Sequence, residues 1–154
     1  MYRQDIARLG LFNDLSPAHL DLIASICEPV TLAKDRVIFE QGAAANYLFI
    51  LQNGQVVIRY KPYDGPSLVV AQIFTGGVFG WSAALRRDIY TSSAIAVVDS
   101  QAVRISGESL QSLCVQCPET GKIVLDRLAQ VVSERLRSTH TEILGILSQG
   151  AENR

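Results

Sequence analysis

The hydrophobic period changes twice along this chain, and those two changes limit its fold more than any single motif does. Up to about residue 28 the apolar residues recur at helical spacing, as in Leu20, Ile23, Ala24 and Cys27. From Val30 to Ile105 the sequence breaks into short runs rich in Val, Ile, Phe and Tyr. After Ser106 the helical spacing returns and continues to about Leu147. The order is therefore helix, then strands, then helix.

Local signals sharpen each part. Arg3–Leu9 suits one short helix. Ser16-Pro17 reads as an N-cap followed by proline at the first helical position. Pro29 is expected at or just past the end of that helix. The strand runs are Val30–Leu32, Val37–Phe39, Tyr47–Leu51, Val56–Tyr60, Leu68–Phe74, Ser92–Val98 and Ala102–Ile105. Gln41-Gly42, Asn53-Gly54, Asp64-Gly65-Pro66, Thr75-Gly76-Gly77 and Asp99-Ser100 punctuate them. Asn53-Gly54 is the strongest short hairpin signal among these. Seven or eight short strands about 8 to 12 residues apart predict a sandwich or barrel-like roll.

Ser106 or Ser109 is placed to cap a short helix reaching Cys114. Past Pro118 a long helix is expected over Glu119–Leu147, about 29 residues or roughly 43 Å. Leu125, Leu128, Val132, Leu136, Thr139, Ile143 and Ile146 form a narrow apolar stripe along it. Such a helix outruns one face of a small roll, so a second copy of the same helix is its simplest partner. The alternative is a helix lying wholly on its own domain. The expected layout is one domain, 1–154, with N-terminal helices over 1–28, a roll over 29–106 and C-terminal helices over 107–148.

Length and charge narrow the function classes. A chain of 154 residues suits one compact domain with its own core. Fourteen basic against 15 acidic residues argue against nucleic-acid binding by this chain alone. No run approaches the roughly 20 apolar residues of a membrane span, and Met1–Leu9 lacks a signal-peptide core. The expectation is a cytoplasmic protein with no membrane partner. Cys27, Cys114 and Cys117 imply no disulfide framework.

Enzymatic readings lack their parts. Neither His19 nor His140 falls on a strand run, so no histidine-rich metal cluster of the cupin type can form on the roll. Cys114-Val115-Gln116-Cys117 has C-x-x-C spacing but no second ligand pair, and two small apolar side chains near a helix end account for it as well. Neither a nucleophile elbow nor a P-loop is present. The chain is expected to be no enzyme, and its residues imply no cofactor.

The most informative segment is Gly77-Val78-Phe79-Gly80-Trp81-Ser82-Ala83-Ala84-Leu85, followed by Thr91-Ser92-Ser93-Ala94-Ile95-Ala96. A glycine-bounded turn leads into small residues that favour one helical turn, and a strand re-enters at Ser92. With Val37–Gly42, the stretch Tyr47–Val56 and the long last helix, this order resembles the cyclic nucleotide-binding domain of catabolite activator and FNR-type (Crp/Fnr) regulators. The resemblance spans most of the chain. It implies a mainly β fold, a β-roll or jelly roll (double-stranded β-helix), with N-terminal helices and a long C-terminal dimerisation helix.

The resemblance also implies a phosphate-binding cassette over Phe79, Gly80, Trp81, Ser82, Ala83, Arg86, Arg87, Ser92, Ser93 and Ala94. Two of its usual ligands are replaced. Trp81 stands where the family has a glutamate that accepts the ribose 2′-hydroxyl. Ser92 stands where an arginine pairs with the cyclic phosphate. A charged hydrogen bond contributes about 1.5 to 3 kcal/mol, so losing both weakens cyclic nucleotide binding by about two to four powers of ten. Arg86-Arg87 is either a substitute anion grip or, as surface arginines more commonly are, a solvated pair beside Asp88. Trp81 either stacks on a ring-shaped ligand or fills the vacated space. Aligned to the family's long helix, Thr139 and His140 occupy the positions that reach the base, although Thr139 also suits the apolar stripe.

The resemblance therefore implies a regulatory small-ligand module, with cAMP, cGMP or another small anion as candidate ligands. The implied partner is a second copy held through Leu125, Leu128, Val132, Leu136 and Ile143, with a separate effector protein as the outlet. Two alternatives stay open. One is a ligand-free interaction domain. The other is a truncated transcription regulator, because the chain stops at Arg154, where the family's winged helix-turn-helix would follow.

Overall fold

The computed structural model describes residues 1–134. The first helix, α1 (Arg3–Ala7), is followed by a 3₁₀ turn over Gly10–Phe12 and then by α2 (Pro17–Ser25). Ser16 caps α2 as its sequence predicts: its hydroxyl accepts from the His19 backbone N–H at 3.4 Å, and Pro17 opens the helix. Eight strands follow: β1 (Cys27–Leu32), β2 (Val37–Phe39), β3 (Tyr47–Asn53), β4 (Val56–Tyr60), β5 (Leu68–Ile73), β6 (Val78–Phe79), β7 (Ser93–Ala96) and β8 (Ser100–Ser106). Then come α3 (Gly107–Gln116) and a helix over 118–134, here α4. The N-cap of α3 is Ser106, whose hydroxyl accepts from Ser109 N–H at 2.9 Å.

The strands form two antiparallel four-stranded sheets, in the orders β1-β8-β3-β6 and β2-β7-β4-β5. The long apolar run in β3 reflects burial on both faces. Leu48 and Ile50 face the helices, packing with Ile6, Phe12, Ile23, Leu110, Val124 and Leu128. Phe49 and Leu51 face the second sheet, packing with Val56, Ile73 and Phe79. Ala94, Ala96 and Ala102 are fully buried opposite those large side chains. Small residues set against large ones let the two sheets pack closely here.

Three expectations change. Asn53-Gly54 does not close a hairpin within one sheet, because β3 and β4 belong to different sheets. Gly54 sits at φ +106°, and a side chain there would collide with the Ser100 hydroxyl. The corner is so tight because β7 and β8 change sheets beside it. Gln55 N–H donates to Ser100 Oγ at 3.2 Å, and Val97 N–H donates to Gln55 O at 3.0 Å. Two chain segments thus cross between the sheets together, which makes the roll.

Second, Cys27 and Pro29 do not end a helix; they lie within β1. Proline is tolerated there because β1 is an edge strand and pairs only with β8. Burial pushes the Cys27 thiol up to about 12, which keeps it unreactive.

Third, the buried stripe of α4 runs through Thr120, Val124 and Leu128, with Val131 packed beside them, rather than through Leu125. Leu128, expected on a partner-facing stripe, is 5% exposed within the chain's own core. Leu125 lies 42% exposed on the outer side, and Val132 is half-buried. The inner face is tied down by polar contacts as well. His19 Nδ1 and Thr120 Oγ1 share a hydrogen bond at 2.7 Å. The Arg127 guanidinium donates to Leu11 O at 3.1 Å and to Asn13 O at 2.8 Å. Leu136, Thr139, His140, Ile143 and the rest of the expected helix lie outside the described residues.

Candidate functional site

Beneath the turn that follows β6 lies an open cavity of about 500 Å³. Its volume is that of an ordinary small-molecule site. Phe39, Phe79 and Tyr90 form its floor, and Ile58, Val70 and Ala71 form the β4–β5 wall. Gly80, Trp81, Ser82, Leu85 and Arg87, from the segment after β6, form a second wall, with Thr91 and Ser92 just before β7.

The floor is an aromatic layer. The Phe39 and Tyr90 rings stack at 3.8 Å and 15°, and Phe49 and Phe79 stack at 5.0 Å and 9°. Tyr90 is locked from behind: its hydroxyl donates to Tyr47 O at 2.6 Å and accepts from Tyr47 N–H at 3.0 Å. Burial raises the Tyr90 pKa, so the phenol stays neutral and keeps its proton for that bond.

The wall that carries Trp81 comes from the glycine-bounded segment. Gly80 takes φ +73°, and the chain then folds into hydrogen-bonded turns over 81–86. Leu85 N–H donates to Trp81 O at 3.1 Å, and Arg87 N–H donates to Ser82 O at 3.0 Å. The single helical turn expected here is present as turns without a regular helix. The far end is pinned by Tyr90 N–H donating to Ala43 O at 2.9 Å and Gly42 N–H donating to Tyr90 O at 2.8 Å.

Of the ten residues assigned to the cassette, six line the cavity: Phe79, Gly80, Trp81, Ser82, Arg87 and Ser92. Four do not. Ala83 and Ala94 are core residues at 4% and 0% exposure. Ser93 turns its hydroxyl to accept the Gln41 backbone N–H at 2.8 Å. Arg86 takes φ +58° and lines a neighbouring cleft with Asn46, Tyr47 and Glu108. Arg87 borders both spaces, the cavity and this neighbouring cleft, whereas Arg86 borders the cleft alone.

Sequence reasoning missed Phe39, Ile58, Val70, Ala71, Leu85 and Tyr90 as lining residues. Only one signal was available for them. Leu68-Val69-Val70 is an apolar run without alternation, and it proves to be exposed on the edge strand β5.

Trp81 is only partly buried, packed against the core on the helix side while it borders the cavity. It leaves the space open rather than filling it. Among the described residues no cluster of His, Cys, Asp or Glu could hold a metal ion, and no helix is long and apolar enough to cross a membrane.

The family model described as "Cyclic nucleotide-binding domain" matches residues 29–117. The CRP-like cAMP-activated global transcriptional regulator of Mycobacterium tuberculosis is 24% identical over 142 residues, which is 92% of this chain and 62% of that protein. The acetyltransferase Pat of Mycolicibacterium smegmatis is 24% identical over 139 residues, 90% of this chain and 40% of that protein. The crystal structure of a cyclic nucleotide-binding domain from Methylobacillus flagellatus superimposes with a TM-score of 0.81 at 21% identity, covering 92% of this chain and 80% of the other. That likeness is one of fold. The chain spans less than two thirds of the length of the regulators it matches.

Proposed function

Because the chain belongs to the cyclic nucleotide-binding domain family, we propose that it is a regulatory module that holds a small ligand in the cavity under the 79–92 segment. The observation that carries this reading is the open volume of about 500 Å³ beside Trp81. An open volume of this size, lined mainly by apolar and aromatic side chains with a few polar groups, is the usual form of a small-molecule site. Ligand candidates are a cyclic nucleotide held without the usual glutamate and arginine, or another small anion.

Occupancy has a physical route out of the site. Val78 and Phe79 form β6, which pairs with β3, and Leu48 and Ile50 of β3 share a core cluster with Val124 and Leu128 of α4. The outer side of α4, with Leu125 and Val132 two turns apart, is the proposed contact with a second copy.

Thermal unfolding with cAMP, cGMP and a panel of small organic acids tests the ligand reading. A binder present at 100 times its Kd stabilises by about 2.7 kcal/mol. At this chain length that is a saturable rise of about 5 to 10 °C in Tm. A flat response to every compound contradicts the reading and favours the ligand-free interaction domain.

The pairing has its own test. Sedimentation at micromolar concentration is expected to show a dimer, and Val132→Asp a monomer that remains folded. A monomeric parent chain contradicts the pairing.

A further inference from the structure

We propose that the cavity is built for an apolar-bodied monoanion, an aromatic or medium-chain carboxylate in class, with its acid group on Arg87 and its body against Trp81, Leu85 and Val70. This rests on the ligand-holding reading above and names the ligand chemistry.

The lining supports it in three ways. The first is its charge. Arg87 is the one charged residue that borders the cavity among the described residues, and no carboxylate does. Arg87 also borders the neighbouring cleft that Glu108 lines, yet it takes part in none of the ion pairs among the described residues and is left to face an anion in the cavity. A guanidinium in that position grips a carboxylate with two parallel hydrogen bonds. Ser82, Thr91 and Ser92 border the same space and bring hydroxyl donors for the remaining lone pairs.

The second is the apolar area left uncovered at the mouth. Val70 on β5 is 52% exposed and Leu85 in the turns after β6 is 57% exposed, and both border the cavity. Apolar area facing across a cavity is what a ligand body covers on binding. The floor continues the theme with the Phe39–Tyr90 stack, which suits a flat ring or an alkyl chain laid across it.

The third concerns what the site handles badly. A ribose presents hydroxyls that need acceptors, and the position next to Gly80 presents an indole instead. Each hydroxyl pressed unpaired against that wall costs about ten- to a hundredfold in affinity. The indole face leaves no such unpaired group on a ring or an alkyl chain.

Calorimetry on the whole chain with 2-naphthoate, its neutral isostere 2-naphthamide and cAMP tests this. The chain has a single tryptophan, so its one indole N–H resonance reports whether a probe reaches Trp81. The expected result is that 2-naphthoate shifts that resonance and binds at least tenfold tighter than either other probe. Arg87→Gln is then expected to bring naphthoate and naphthamide to equal affinity. A naphthoate preference that survives Arg87→Gln overturns the charge assignment. Binding of cAMP as tight as naphthoate overturns the ligand class while leaving the ligand-holding reading intact. No shift of the indole by 2-naphthoate at millimolar concentration overturns the ligand class, and the ligand-holding reading falls only if the thermal response to the whole panel is flat as well.

Discussion

Phe79→Ala is expected to cost about 3 to 5 kcal/mol of unfolding free energy, the range for emptying a buried aromatic position. Phe79 is fully buried. Its ring lies 5.0 Å from Phe49 and 6.3 Å from Phe39, and its backbone pairs with Phe49 across β6 and β3. These neighbours cannot collapse into the gap, because Phe39 is held by the Tyr90 stack and Phe49 by the strand pairing. At this length the loss corresponds to a fall of about 6 to 20 °C in Tm. Urea unfolding measures it, and a loss below about 1 kcal/mol would mean that the two sheets are not joined through this ring.

Gly80→Ala is the second large effect, and it acts through the backbone. With φ at +73°, a side chain at this position is strained by about 1 to 3 kcal/mol. It would also be crowded: an added Cβ would lie 2.9 Å from Tyr47 O, 3.1 Å from the Phe49 ring and 3.3 Å from the Phe39 ring. The carbonyl cannot step back, because the Tyr90 hydroxyl donates to it at 2.6 Å. Crowding of this kind adds about 1 to 3 kcal/mol, for a total of about 2 to 6 kcal/mol. Gly76 separates the two causes. It has a similar φ of +87°, but a Cβ there meets nothing within 4 Å. Gly76→Ala should therefore show the strain alone. Denaturant midpoints at unchanged m-value give both numbers. Equal costs at the two glycines would refute the crowding argument.

The two variants fall in a segment that was conspicuous in the sequence, yet their importance was only half legible. Gly80 stood out as a turn residue beside Phe79. Nothing local said that the Tyr47 carbonyl would lie against it, 33 positions earlier in the chain. Arg86 and Arg87 were likewise visible as a basic pair. That Arg87 reaches the cavity while both arginines line the neighbouring cleft follows from the turns over 81–86, and no residue preference announces the positive φ at Arg86.

Residue chemistry and spacing alone settled the helix–strand–helix order, though no run announced the two-residue strand β6. Ser16-Pro17 starts α2, Val56–Tyr60 is β4, and Ser106 caps α3, because caps, prolines and period-2 runs act over a few residues. The motif order from Val37 to Ala96 also pointed to the family. Tertiary structure decided everything that depends on which segment lies opposite which. It turned Asn53-Gly54 from a hairpin into a corner between sheets and drew Pro29 into an edge strand. It rotated α4 so that Leu128 faces inward and Leu125 outward. It brought Phe39 of β2, Val70 of β5, and Leu85 and Tyr90 of the connection between β6 and β7 around one cavity. Their shared surroundings come from non-local pairing and burial, and a one-residue shift in register reverses the face a side chain takes. The cavity's apolar walls and its single guanidinium are therefore properties of the assembled roll.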